Sequence, residues 1–249
     1  MQELTASGPG THTDLHRHLT RQQWYAYTVD QHAAWAALYA RRMPALRSTA
    51  STVFLRGADA IGLGEERIPD LALLNRRLVA RTGWSAMPVT GFLPAGDFFA
   101  CLAQRRFPTT VEIRPLERLD YTPEPDIFHD VFGHVPLHAD PVFAEFLQRF
   151  GELAAAATDA HTTERLARFF WFTVEFGLVR EAGEVKLFGS GLISSSAEAQ
   201  HALSPECERR PFVLAQVLDT AFQIDHLQPV LYVVDGFDEL FEAVEGLGR

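Results

Sequence analysis

His129 and His134 stand five positions apart in Asp126-Ile127-Phe128-His129-Asp130-Val131-Phe132-Gly133-His134-Val135-Pro136. Glu175 stands alone in the nearly apolar run Phe169-Phe170-Trp171-Phe172-Thr173-Val174-Glu175-Phe176-Gly177. Two imidazoles and one carboxylate are the smallest ligand set that holds a divalent iron on one face and leaves the opposite face open. A carboxylate in so apolar a run is costly unless it is paired or metal-bound. Each residue also has an ordinary alternative. Glu175 can pair with Arg168 or Arg180, and each histidine can bond a backbone carbonyl in the core. Residues five apart sit about 140° around an ideal α-helix. The two histidines therefore converge only if the helix ends or loosens between them, and Gly133 and Pro136 are the expected break. In H-E-x-x-H both histidines share a face and the glutamate acts as base. That spacing is absent, which argues against a zinc protease.

The elements that must position these residues follow from periodicity and punctuation. Asp30 is expected to cap a first helix carrying Ala34, Trp35 and Leu38, with Pro44 ending it. A second helix is expected near 50–61, closed by Gly62 and Gly64, and a third from Pro69 to Gly83. Residues 87–94 read as loop. Pro94 and Asp97 open a helix with Phe98, Phe99 and Leu102, broken at Phe107-Pro108. Residues 109–113 alternate like a strand that delivers Arg114. Prolines 123 and 125 force an extended entry into the helix of His129. Asp140-Pro141 opens a long helix to about Ala157, and Thr162 or Thr163 is expected to cap the helix of Glu175. Residues 185–191 turn β-like, Ser194 to Ser196 can cap a short helix, 228–234 reads as a strand, and a last helix runs from about Phe237 to Val244. The expected fold is mainly α with small strands or hairpins. One domain is expected over 21–249, after a mobile tail over 1–20 whose histidines (His12, His16, His18) lack a ligand framework.

Of the 249 residues 47% are apolar, and the formal net charge is −10 with no Lys/Arg block. That balance argues against a nucleic-acid or anionic-membrane partner. Cys101 and Cys207 lie far apart and outside any CxxC, as expected of ordinary buried thiols in a reducing compartment. The start lacks a signal-peptide pattern, and no apolar run approaches roughly 20 residues. The expected location is the cytoplasm.

Longer words surround the three ligand candidates. Thr122-Pro123-Glu124-Pro125-Asp126-Ile127, continuing through His129-Asp130 to Gly133-His134-Val135-Pro136-Leu137, resembles the iron-site signature of the pterin-dependent aromatic amino acid hydroxylases. Trp171 to Gly177, the stretch Gly189-Ser190-Gly191-Leu192-Ile193-Ser194-Ser195, and Gln228-Pro229 with its following strand match the same family in the same order. The resemblance covers roughly Asp30 to the C-terminus. It is closest in form to the short bacterial phenylalanine-4-hydroxylases, and it implies a single catalytic domain and a monomer.

The resemblance implies Fe(II) held by His129, His134 and Glu175, with tetrahydropterin supplying electrons and O2 as co-substrate. It implies hydroxylation of an aromatic amino acid ring, with L-phenylalanine to L-tyrosine as first choice. Arg114 is implied to bind the substrate carboxylate through paired hydrogen bonds, with Asp126 orienting it or a ligand histidine. Tyr121, Thr122, Pro125, Trp171, Gly191 and Ser194 match positions of the amino acid pocket, and Ser194 matches a serine supporting an iron-ligand histidine. Phe98 matches the ring that stacks on the pterin, Gly91, Phe92 and Leu93 match the loop that reads its polar edge, and Asp130 stands where the family has an acid near it. Phe170, Phe188 and Phe222 depart from positions where tyrosine is common, so the site surroundings are expected to be less polar than usual. Two other readings remain at this point. One is a variant acting on another ring carbon, or on tyrosine or tryptophan. The other is a non-oxygenase zinc protein using the same ligands.

Overall fold

A computed structural model describes residues 15–120, 125–224 and 226–247. Its first long helix, α1 (Val29–Thr49), begins one residue before Asp30. Thr28 is the cap: its hydroxyl accepts from the Gln31 amide while the Gln31 side chain accepts from the Thr28 amide. This reciprocal box satisfies two otherwise orphaned donors, and Asp30 falls inside the favourable first turn. Pro44 does not end α1 but lies within it. The proline removes one helical hydrogen bond. Burial of Met43 and Leu46, and the bonds of buried Arg42 to the carbonyls of Leu192 and Ile193, carry the helix past it.

Next come α2 (Thr52–Ile61), capped by Ser51, and α3 (Leu71–Thr82), capped by Asp70. Gly62 and Gly83 close them at φ 70° and 78°, where only a residue without Cβ is unstrained. Then follow β1 (Ser85–Val89), α4 (Ala95–Ala103) and β2 (Arg106–Thr110), with β1 and β2 parallel. Residues 87–89, expected as loop, are thus strand, and the strand expected over 109–113 lies earlier, around Pro108. A two-stranded sheet leaves each strand an edge where a missing N–H is tolerated, which admits Pro88 and Pro108. Of the tail expected over 1–20, residues 1–14 lie outside the described residues. His18 and Thr20 bond the backbone of Thr90 and Pro88, so the end of that segment is fixed alongside β1.

The two ligand candidates on the first word lie on a single π-helical turn, Phe128–His134, which runs into a 3₁₀ turn, Val135–Ala139. Then come α5 (Pro141–Ala155), capped by Asp140, and α6 (Ala160–Phe170), capped by Asp159 rather than by Thr162 or Thr163. The α6 helix passes directly into a second π turn, Trp171–Glu175. The strands β3 (Leu178–Glu181) and β4 (Glu184–Leu187) form a hairpin through Ala182 and Gly183, both at positive φ as its tight turn demands. The chain ends with α7 (Ser190–Ser194), α8 (Ser196–Leu203), β5 (Glu208–Pro211), α9 (Leu214–Asp219), β6 (Val230–Val234) and α10 (Phe237–Leu247). The second sheet has the order β4-β3-β6-β5. All four residues of β5 are exposed, so no apolar alternation betrayed it.

Nearly all buried apolar side chains join one continuous cluster. Phe128 and Phe132 seat the first π turn in it, stacked on each other at 4.5 Å and packed edge-on against Trp35 and Phe54. Cys101 and Cys207 are free and buried. No helix among the described residues is long and apolar enough to cross a membrane.

Candidate active site

A π-helix bonds residue i to i+5, so side chains five apart stack on one face. That geometry, and not the expected break at Gly133 and Pro136, aligns His129 with His134. Gly133 has another reason to be glycine: a Cβ there would lie 3.0 Å from the Ser190 carbonyl, so its absence lets α7 approach. The second π turn is fixed by the Phe176 amide, which donates to the Trp171 carbonyl at 2.8 Å, and it aims Glu175 between the histidines.

Glu175 Oε1 lies 3.4 Å from His129 Nε2, and Oε2 lies 3.3 Å from His134 Nε2. One donor atom from each residue falls within 4.8 Å of the others, the one such grouping of three among the described residues. Neither ordinary alternative for Glu175 holds: Arg168 pairs with Glu164, and Arg180 with Asp235. Burial holds His134 down at about 3, and holds His129 down at about 4 with Glu175 opposing it. Both imidazoles are therefore neutral lone-pair donors at pH 7, as metal ligands must be. Ser194 Oγ meets His129 Nδ1 at 2.9 Å, which leaves Nε2 to face the cavity. Ser190 Oγ donates to Glu175 Oε2 at 2.8 Å. A Cβ on Gly191 would come within 3.1 Å of Glu175 Oε1, so this glycine keeps α7 flush against the ligand. Two neutral imidazoles and a buried carboxylate with no cationic partner fit a divalent iron.

The three donors line a cavity of about 370 Å³. Gly91, Phe92, Leu93, Phe98 and Asp130 are among its lining residues. Phe98 stands edge-on to Phe170, with ring centroids 5.5 Å apart. Asp130 Oδ2 accepts from both the amide and the hydroxyl of Thr110 at 2.7 Å, and burial pushes its carboxyl up to about 7 against those bonds. Arg114, Pro125, Trp171, Gly191 and Ser194 also line the cavity. Arg114 grips Asp126 through Nε at 2.7 Å and a terminal nitrogen at 2.9 Å, and Asp126 Oδ1 accepts the His129 amide at 3.0 Å. Asp126 thus holds the Arg114 guanidinium and bonds the ligand histidine at its backbone amide, whereas the contact to the His129 ring comes from Ser194. Burial works to raise its carboxyl, and the Arg114 bonds prevail and hold it below the ordinary range. Tyr121 and Thr122 lie outside the described residues.

Two expectations narrow. Phe222 stacks flat on Trp171 at 4.4 Å, covering one face of the indole. Of the three phenylalanines expected to make the site less polar, only Phe170 lines the cavity. Phe188 is core, packed on Phe237 at 5.1 Å. Sequence reasoning gave no role to Ser190, Thr110, Phe107 or Glu198. Phe107 packs on the His134 ring at 4.5 Å, and Glu198 lines the cavity. Only Glu198 carried a signal, in the word Ser195-x-x-Glu198, and that word reads as a helix cap.

The sequence pattern of the biopterin-dependent aromatic amino acid hydroxylases matches residues 15–247. The chain belongs to this family. The phenylalanine-4-hydroxylase of Caulobacter vibrioides is 43% identical over 222 residues, 89% of this chain and 76% of that one. The phenylalanine-4-hydroxylase of Chromobacterium violaceum is 40% identical over 218 residues, 87% of this chain and 73% of that one. A crystal structure of the Chromobacterium enzyme with iron(III) and 7,8-dihydrobiopterin superposes with a TM-score of 0.89 at 37% identity, covering 99% of this chain and 89% of that one. This hydroxylase thus belongs to a biopterin-dependent family that acts on aromatic amino acids. Its mainly helical architecture with small sheets is that of the family's catalytic domain.

Proposed function

We propose that the enzyme converts L-phenylalanine to L-tyrosine at an Fe(II) held by His129, His134 and Glu175. The observation that carries this reading is the convergence of three donors, two imidazoles and one carboxylate with no Lys or Arg partner among the described residues, on one cavity. Bound there, the iron and tetrahydropterin supply O2 activation: one oxygen atom enters the ring and the other leaves on the pterin as its 4a-hydroxy product.

The chain's own residues bind, orient and exclude water. Ser194 fixes the His129 ring and Ser190 fixes Glu175, so the ligand set is preformed. Arg114 receives the substrate carboxylate through the N–H groups that Asp126 and the Leu119 carbonyl leave free. Pro125, Gly191 and Trp171 border the amino acid, with Trp171 presenting what Phe222 leaves uncovered. Phe98 stacks on the pterin, and the Gly91, Phe92 and Leu93 backbone reads its polar edge. Asp130, anchored by Thr110, stands beside it. The apolar walls formed by Phe98, Phe107 and Phe170 keep water from the reacting face. The enzyme is proposed to act as a cytoplasmic monomer without nucleic acid or membrane, which the net charge of −10 and the lack of a basic block support.

The test is anaerobic reconstitution with Fe(II), followed by tetrahydropterin, O2 and each aromatic amino acid in turn. The expected result is tyrosine formed from phenylalanine in step with pterin oxidation. If no amino acid elicits pterin oxidation, the proposal fails. NMR of the product decides the ring carbon, since a meta-hydroxylated product would place the chain among variants acting elsewhere on the ring.

A further inference from the structure

We propose that Glu198 receives the α-ammonium group of the amino acid substrate. This rests on the hydroxylase reading and deepens it. An amino acid brings two opposite charges into the cavity, and Arg114 answers only one.

Among the described residues four carboxylates line the cavity: Asp120, Asp130, Glu175 and Glu198. Asp120 is 96% exposed in its side chain and paired with Arg41. Asp130 is bound to Thr110, and Glu175 sits between the imidazoles and Ser190. Glu198 alone has no hydrogen-bond or ion-pair partner for its side chain among the described residues.

The local structure explains why it is free. Ser195 caps α8, and its hydroxyl accepts the Glu198 amide at 3.3 Å. A Ser-x-x-Glu word normally completes this box by returning the glutamate to the cap residue's amide. The corresponding return bond is made at α1, from the Thr28 amide to Gln31. At α8 the Ser195 amide is already spent on the Gly191 carbonyl at 3.0 Å, because α7 runs directly into α8. The carboxylate is thereby left to the cavity, which Ser194 and Ser195 also line. Burial pushes it up to about 7, with His201 opposing and Glu175 reinforcing, as befits a carboxylate that lacks a cation. A bound ammonium supplies one. Arg114, already matched by Asp126, adds little net positive charge to repel that ammonium.

The experiment compares L-phenylalanine with 3-phenylpropanoate, which keeps ring and carboxylate and lacks the ammonium. In Glu198→Gln the KM for phenylalanine is expected to rise about 10- to 100-fold, the worth of a hydrogen bond to a charged group. The inhibition constant of 3-phenylpropanoate should change little or fall, and Glu198→Asp should recover part of the phenylalanine affinity. An unchanged KM for phenylalanine overturns the assignment. So does an equal loss for both compounds, which marks a distorted cavity. If the wild-type enzyme oxidises no pterin with any aromatic amino acid, the hydroxylase reading is what has failed. If it turns over normally and Glu198→Gln matches it, the Glu198 assignment alone has failed.

Discussion

His129 and His134 are held neutral by burial, at about 4 and about 3 in the metal-free protein instead of the ordinary 6.5. As pH falls below 6.5 the unfolded chain takes up protons there that the folded chain refuses. Stability from this source is full above 6.5, declines between 6.5 and about 3, and is flat below. The loss should be on the order of a few kcal/mol for the metal-free protein. Urea unfolding from pH 8 to 4.5 measures it. His134→Gln should flatten the slope, and an unchanged slope would assign the acid loss to other groups. Ser194 acts on the metal site through His129. Ser194→Ala removes the 2.9 Å contact that fixes the ring, so Fe(II) affinity should fall about 10- to 100-fold with the fold intact. Anaerobic metal titration monitored by circular dichroism and metal content checks both halves. The ligands at this scale were legible from the sequence only together with the longer words around them, because a buried carboxylate or a core histidine alone has an ordinary structural use. The hydroxyls that orient them were not, because serine is common and its partners lie on another element.

Both ligand-bearing segments are π turns, and each is followed by a tight approach of another element. Gly57 on α2 faces the 3₁₀ turn after His134, where a Cβ would lie 1.9 Å from the Pro136 carbonyl oxygen. Backbone cannot yield as a side chain can. Gly57→Ala should therefore force α2 away from the histidine segment and cost about 1–3 kcal/mol or more. A fall in the thermal midpoint, larger than that of Ala58→Gly on the same helix, is the expected readout. Most helices could be found in the sequence from their caps and glycine stops. The π turns could not, since an α and a π turn share the same residue preferences and differ by one register of backbone bonding. Pro44 inside α1 and Pro108 inside β2 misled for a related reason. The cost of a proline is local, and tertiary packing outweighed it.

The ligand set joins two distant segments, one ahead of α5 and one after α6. Metal binding should therefore stabilise the whole domain. At a free metal concentration about 100-fold above Kd the gain is about 2.7 kcal/mol. Differential scanning calorimetry should show the midpoint rising with added Fe(II) or Co(II) under anaerobic conditions, and His129→Ala should abolish the rise. A rise that persists in His129→Ala would place the metal elsewhere. The cavity is likewise a property of the whole molecule. Its walls come from the 89–98 segment, β2, Arg114, Asp120, Pro125, both π turns with Phe176, α7, Ser195, α8 and Ile224.

The sequence by itself determined the ligand types, the family and the order of the helices, because those depend on residue identity and on neighbours within a few positions. Tertiary structure alone decided how histidines five apart share a face, since bonding i to i+5 is a choice of backbone made by the packing of Phe128 and Phe132 against α1 and α2. It also decided that Phe188 is core while Phe170 faces the cavity. And it decided that Glu198 is released from its helix cap, because the amide it would have bonded is taken by a carbonyl of the preceding helix.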